Sequence, residues 1–171
     1  MQSIQYVLLA VLLLSSTFKN KAVDDKQMKV LFIKGFTSYL EWNPKDVKDA
    51  LIIGVLGDSY LNADLIAGLD GKKCGQYKVK VKKFANVQSI DECHFLYIPE
   101  AKSNKFSEHI DKFAKRPIII ISENAELYKK GANINFRKKN GKLAFDLCKA
   151  CIESKGIKVS PALVKLAASV K

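Results

Sequence analysis

Asn140-Gly141 separates two apolar-polar runs, and this dipeptide constrains the chain more than any other pair of residues in it. A two-residue type I′ turn needs φ > 0 at both central positions, which Asn and Gly tolerate, so the flanking runs read as one antiparallel hairpin. The first run includes Gly131-Ala132-Asn133-Ile134-Asn135-Phe136 and the second is Lys142-Leu143-Ala144-Phe145-Asp146-Leu147. Further on, Ser160-Pro161 has the form of a helix N-cap followed by proline at the first helical position. The C-terminal third is therefore expected to be a hairpin followed by two helices.

The preceding residues alternate strand and helix. Residues 26–42 carry Val30, Leu31, Ile33, Phe36, Thr37 and Leu40 at helical spacing, and Asn43-Pro44 should end that helix. Residues 50–56 read as a buried strand, with Asp58 or Ser59 capping a helix over 60–69. Residues 77–84 alternate apolar side chains with lysines, as a half-exposed strand does. Residues 93–98 form a further strand, and Ser103 is expected to cap a helix reaching residue 115. Four consecutive isoleucines within 117–122 mark a strand buried on both faces, as in parallel sheets. A short helix over 124–129 should stop at Gly131. This order predicts a three-layer α/β fold. Its sheet is partly parallel (Rossmann-like), with the antiparallel C-terminal hairpin as an extension and two C-terminal helices. Residues 24–171 read as a single domain. Ligands in such sheets bind outside the carboxyl ends of the strands. Here those ends are Gly57-Asp58-Ser59, Phe84-Ala85-Asn86, Pro99-Glu100 and Ser122-Glu123.

Residues 1–22 read as an export signal. The apolar run 6–14 is shorter than the roughly 20 residues that a bilayer span needs and fits the core of a secretory signal. No Lys or Arg precedes it and no small-x-small cleavage site follows, so an uncleaved anchor is the alternative. Both readings place the folded part outside the cytoplasm, in the periplasm.

The formal charge is +12, and +10 without Lys19 and Lys21, since residues 1–22 hold no acid. Only Arg116 and Arg137 are arginines, whereas nucleic-acid readers favour Arg for bidentate contacts. Nucleic acid is therefore not an expected partner, and attraction to an anionic membrane surface fits a lysine-rich exported chain better.

No residues assemble into a recognisable catalytic set. Gly54-Val55-Leu56-Gly57-Asp58-Ser59 is neither a dinucleotide fingerprint nor a Walker loop. His94 follows Cys93 in a strand, where neighbours face opposite ways, and His109 lies on an expected amphipathic helix. Asp58 at a strand end lacks the later strand-end lysine of a phospho-acceptor site. We expect no enzyme activity, no cofactor and no metal site. The four cysteines, Cys74, Cys93, Cys148 and Cys151, permit two disulfides in an exported chain. Cys148-Lys149-Ala150-Cys151 resembles a redox motif, but a thioredoxin-type site places it at a helix N-terminus and here it follows a strand. We read it as a local structural disulfide or two buried thiols.

Residues 26–171 resemble the YfiR/HmsC-like family of exported bacterial proteins. The opening helix, Phe32-Ile33-Lys34-Gly35-Phe36 through Trp42-Asn43-Pro44, is similar to the family's aromatic start. Leu51-Ile52-Ile53-Gly54-Val55-Leu56-Gly57-Asp58 and Cys93-His94-Phe95-Leu96-Tyr97-Ile98 are similar to two of its strands. The C-terminal runs from Gly131, Gly141 and Gly156 complete the match. The resemblance implies a small periplasmic regulator that restrains a membrane-bound diguanylate cyclase through the cyclase's extracytoplasmic domain. Cyclic-di-GMP and biofilm formation fall as a result, and redox or envelope stress relieves the restraint. It also implies a dimer and small-molecule ligands.

Gly54 stands where some members carry a cysteine that pairs with the counterpart of Cys93, so that bridge cannot form here. Cys74 would substitute only if its loop folds toward Cys93. Cys148 stands where the family often has Asn, and Ser160-Pro161 replaces the commoner Ser-Ser.

The expected contact residues for a partner or ligand are Tyr39, Glu41, Trp42, Lys158 and Ser160, with the alternative that Trp42 only anchors the first helix. The expected partner is an inner-membrane signalling protein, a diguanylate cyclase or a sensor kinase. A small-ligand module for a sensor kinase or transport system is the alternative, and a thiol oxidoreductase using Cys148 and Cys151 is the third reading.

Overall fold

The computed structural model describes residues 24–171, so the signal or anchor expected over 1–22 lies outside the described residues. Helix α1 (Asp25–Tyr39) opens the fold and runs straight into the two-residue strand β1 (Leu40–Glu41). The expected helix is therefore about one turn too long. Leu40 and Glu41 leave the helix because they pair with a distant strand, and tertiary pairing overrides local spacing. Strand β2 (Leu51–Leu56), helix α2 (Asn62–Leu69) and the short strand β3 (Lys73–Cys74) follow. Ser59 Oγ accepts the Leu61 N–H at 3.1 Å, whereas Asp58 turns outward to Lys83.

Strands β4 (Tyr77–Phe84) and β5 (Phe95–Ile98) match two expected runs. The helix expected over 103–115 is instead α3 (Ser103–Ser107) followed by a 3-10 turn, Ile110–Phe113. Phe106, Ile110 and Phe113 still share one buried face, so the apolar pattern survives while the hydrogen bonding tightens. Ser103 sits inside this segment, its hydroxyl donating to Pro99 O at 3.3 Å, and does not act as a cap.

Strand β6 (Ile119–Ser122) leads to helix α4 (Ala125–Lys130), capped by Asn124 Oδ1 accepting the Leu127 N–H at 2.8 Å. The hairpin is β7 (Ile134–Lys139) and β8 (Lys142–Leu147). Asn140 and Gly141 take φ 52° and 73°, the left-handed pair that the turn requires. The chain closes with helix α5 (Lys149–Glu153), strand β9 (Lys158–Val159), helix α6 (Pro161–Leu166) and strand β10 (Ser169–Val170).

The main sheet runs β10-β8-β7-β6-β5-β2-β4-β3. Its middle five strands, β7, β6, β5, β2 and β4, are mutually parallel, while β8 is antiparallel to β7 and β3 to β4. The isoleucine run divides as a doubly covered strand must. Ile119 and Ile121 enter one core with α1, α2, α5 and α6, and Ile118 and Ile120 enter the other with α3 and α4. The chain is thus a mixed α/β fold with a mostly parallel sheet between two helical layers. In the order of the five parallel strands along the chain, the sheet reads 2-1-3-4-5. The direction of winding reverses between β2 and β5, which sets a switch point at their carboxyl ends.

Candidate functional site

The second sheet is the centre of the candidate site. Strands β1 and β9 pair antiparallel, with Leu40 opposite Val159 and Glu41 opposite Lys158. The Ser160 N–H continues this ladder by donating to Tyr39 O at 2.9 Å. Two segments more than 110 residues apart in sequence thereby bring Tyr39, Glu41, Lys158 and Ser160 together. The Lys158 ammonium lies 3.3 Å from Glu41 Oε1, with both side chains largely exposed, so this pair contributes about 0–1 kcal/mol. Ser160 has a second role, since its Oγ accepts the Ala162 N–H at 3.2 Å and caps α6, with Pro161 at the first helical position.

These residues line an open cleft of about 520 Å³, which Thr37, Gln76 and Pro161 help to wall. Gln76 reaches the cleft because the β3–β4 turn lies against the end of α1. Gly75 in that turn takes φ 60°, and a Cβ there would lie 3.0–3.1 Å from Ser38 Oγ and Cα.

Trp42 is placed differently. It is 2% exposed and lies beneath the patch. Its Nε1–H donates to Pro117 O at 2.8 Å, and its ring meets Phe95 edge-on at 5.0 Å. It ties the end of β1 to the large sheet. Beside it, His94 joins two segments. Nδ1 accepts the Ile52 N–H at 2.8 Å and Nε2 lies 2.8 Å from Asp46 O, so the ring must be neutral and carry its proton on Nε2. Burial lowers its pKa, against the opposing pull of the Asp46 carbonyl.

This patch lies at the amino ends of the parallel strands. The carboxyl ends, where the sequence points to a ligand crevice, hold a cluster of the chain's own side chains. Glu123 Oε1 accepts from Tyr60 Oη at 2.8 Å and from the Tyr97 hydroxyl, and lies 2.7 Å from Lys29 Nζ. Burial works against the Lys29 ammonium, but its contacts to Glu123 and Tyr60 outweigh that and raise its pKa. Burial and the Glu123 charge also raise the pKa of Tyr97. One carboxylate oxygen therefore gathers α1, the loop after β2, β5 and the end of β6. Glu123 was visible as a strand end in the sequence. Lys29 and Tyr97 were hidden in helical and strand patterns, and only their polarity within apolar runs marks them.

The cysteines separate into one pair and two free thiols. Cys148 and Cys151 form a disulfide with Cα atoms 5.3 Å apart. Cys148 is also the N-cap of α5, so the pair both follows a strand and begins a helix, and the contrast drawn from sequence with thioredoxin-type placement does not hold. Cys74 and Cys93 are free and buried. They cannot pair because Cys74 lies in the core under α1 and Cys93 in the core on the opposite face of the sheet. Burial pushes the Cys93 thiol up to about 12.

No helix among the described residues is long and apolar enough to cross a membrane. Among solved structures, the chain is similar to the crystal structure of a conserved domain protein from Vibrio cholerae O1 biovar El Tor strain N16961. The TM-score is 0.56 at 16% identity, over 86% of this chain and 60% of that one. That likeness concerns the fold, and this chain spans 60% of the length of the Vibrio chain. No curated protein matches the sequence. The family model described as YfiR/HmsC-like matches residues 26–168, which include all but the first residue of α1, strands β1 to β9 and the two C-terminal helices. The chain belongs to the YfiR/HmsC-like family.

Proposed function

We propose that this protein is a periplasmic, non-enzymatic regulator that binds the extracytoplasmic domain of an inner-membrane diguanylate cyclase and restrains it. Family membership supports the regulatory role. The observation that carries the choice of surface is the β1–β9 ladder, which presents Tyr39, Glu41, Lys158 and Ser160 on one face. A rigid two-stranded platform loses little entropy on binding, and its exposed charge pair can exchange partners across an interface at low cost. Restraint requires tighter binding to the inactive cyclase than to the active one.

The test is in-cell crosslinking of the tagged protein in its own host, followed by mass spectrometry. Capture of a membrane protein with a cyclase output domain, lost in Lys158→Glu, is the expected result. Capture of a sensor kinase or transporter would move the module to another pathway. A second reading rests on the cleft of about 520 Å³, which lies within the usual range of small-ligand pockets, roughly 300–1,000 Å³. In that reading a small polar ligand in the cleft sets the affinity of the platform for its membrane partner.

A further inference from the structure

A second concavity adjoins the β1–β9 patch and shares Tyr39 with it. It is an apolar groove of about 200 Å³ between α1 and α6, floored by Phe145 and lined by Leu31, Gly35, Leu163 and Leu166. Leu31 and Leu166 are 54% and 56% exposed, among the most exposed large apolar side chains of the fold. Gly35 sits in the interior of α1, where glycine costs about 1 kcal/mol relative to alanine. A Cβ at this glycine would meet only Tyr39 Cε2, at 3.8 Å, so packing does not demand glycine there. Its absence of a side chain leaves the groove open.

The groove is bordered by positive charge. Lys34 lies one helical turn from Leu31, and Lys165 precedes Leu166. No carboxylate of the described residues forms an ion pair with either lysine. The hairpin tip adds Lys139 and Lys142, while Lys138 is paired with Asp25. A second copy of this chain would bring the same cations to the same face, and like charges oppose that contact. An apolar slot with a cationic border matches an amphipathic helix with an apolar stripe and acidic flanks.

We propose that the α1–α6 groove docks an acidic amphipathic helix of the membrane partner. This deepens the regulatory reading and rests on it for the identity of the protein that supplies the helix. The β1–β9 patch and the groove would then form one continuous surface, joined at Tyr39.

The test titrates the full exported chain with a designed peptide of about 18 residues, leucines at helical spacing and glutamates on the flanks. Its counterparts carry lysine or glutamine in place of glutamate, and vesicles of phosphatidylglycerol and sedimentation of the protein alone complete the set. The expected result is at least about tenfold tighter binding of the glutamate peptide than of the lysine peptide, weakening with salt. Leu166→Glu and Gly35→Leu should each lose about tenfold or more, with circular dichroism unchanged. Equal binding of the three peptides, or indifference to Leu166→Glu, overturns the proposal. Leu166-dependent vesicle binding without peptide binding would assign the groove to a membrane, and Leu166-dependent dimers would assign it to a second copy; either overturns it. In cells, a Leu31→Glu/Leu166→Glu variant that still restrains the partner also overturns the groove and leaves the regulatory reading standing. A wild type that restrains nothing overturns the regulatory reading, and the peptide titration then judges the groove by itself.

Discussion

Trp42 donates its indole N–H to the carbonyl of Pro117 at 2.8 Å, which ties the end of β1 to the residues that lead into β6. The aromatic residue of the opening segment is thus a fastener between the small sheet and the large one. Trp42→Ala should destabilise the fold by about 3–5 kcal/mol. Trp42→Phe keeps most of the ring and should cost about 1–3 kcal/mol, from lost area and an unpaired carbonyl. Urea denaturation measures both. A negligible cost for Trp42→Phe would show that the indole N–H contributes nothing.

Gly54 pairs with Lys82 in the β2–β4 ladder, and the ring of Phe84, two residues further along β4, lies over it. A Cβ on Gly54 would stand 2.5 Å from Phe84 Cε2 and 3.3 Å from Leu96 Cδ1. The ring fills the space that a side chain would take. Gly54→Ala should therefore cost about 1–3 kcal/mol by overpacking, even though alanine suits a strand interior better than glycine. Gly54→Ala/Phe84→Leu should recover part of the loss, and a double-mutant cycle checks it.

His94 sets a pH response. Its folded-state pKa is lowered by burial, below the ordinary 6.5, so the folded state favours the neutral ring. The unfolded chain takes up the proton first as pH falls. The contribution is therefore complete above pH 6.5 and is lost as pH drops toward and through the folded value. Stability should decline by up to about 1.4 kcal/mol per pH unit in that window. His94→Gln should be less stable at neutral pH and should flatten this slope.

The cysteines should behave as two classes. The disulfide closes a loop between residues only three apart, so the Cys148→Ser/Cys151→Ser variant should lose about 2 kcal/mol and stay folded. Cys74 and Cys93 should resist a thiol reagent until the protein unfolds, since both are buried away from the reagent and burial also pushes the Cys93 thiol up to about 12. Rapid labelling of either free thiol in the native protein would contradict this placement.

Much of the fold was legible in local sequence. The Asn140-Gly141 turn, the isoleucine run of β6 and the Ser160-Pro161 cap each follow from short-range chemistry, and each stands where expected. The misses share a cause. Strands β1, β9 and β10 have two residues each and exist only because distant partners meet them, which no local pattern encodes. Helix α1 stops short of the expected residue 42 for the same reason. Four of the five expected contact residues meet at one cleft, but the resemblance chose their segments and only the β1–β9 pairing explains their meeting. Trp42 shows the limit, since an aromatic residue near a surface loop reads the same whether it faces out or in.

The central claim is that the β1–β9 face restrains a cyclase. Glu41→Arg and Lys158→Glu alter that face while removing an exposed pair worth about 0–1 kcal/mol, so both variants should fold normally. The direct measurement is the cyclic-di-GMP content of the host lacking this protein, complemented with wild type or with either variant. The account predicts a rise on deletion, reversal by wild type and failure of both variants at equal periplasmic abundance. An unchanged cyclic-di-GMP content on deletion, or full reversal by both variants, would contradict it.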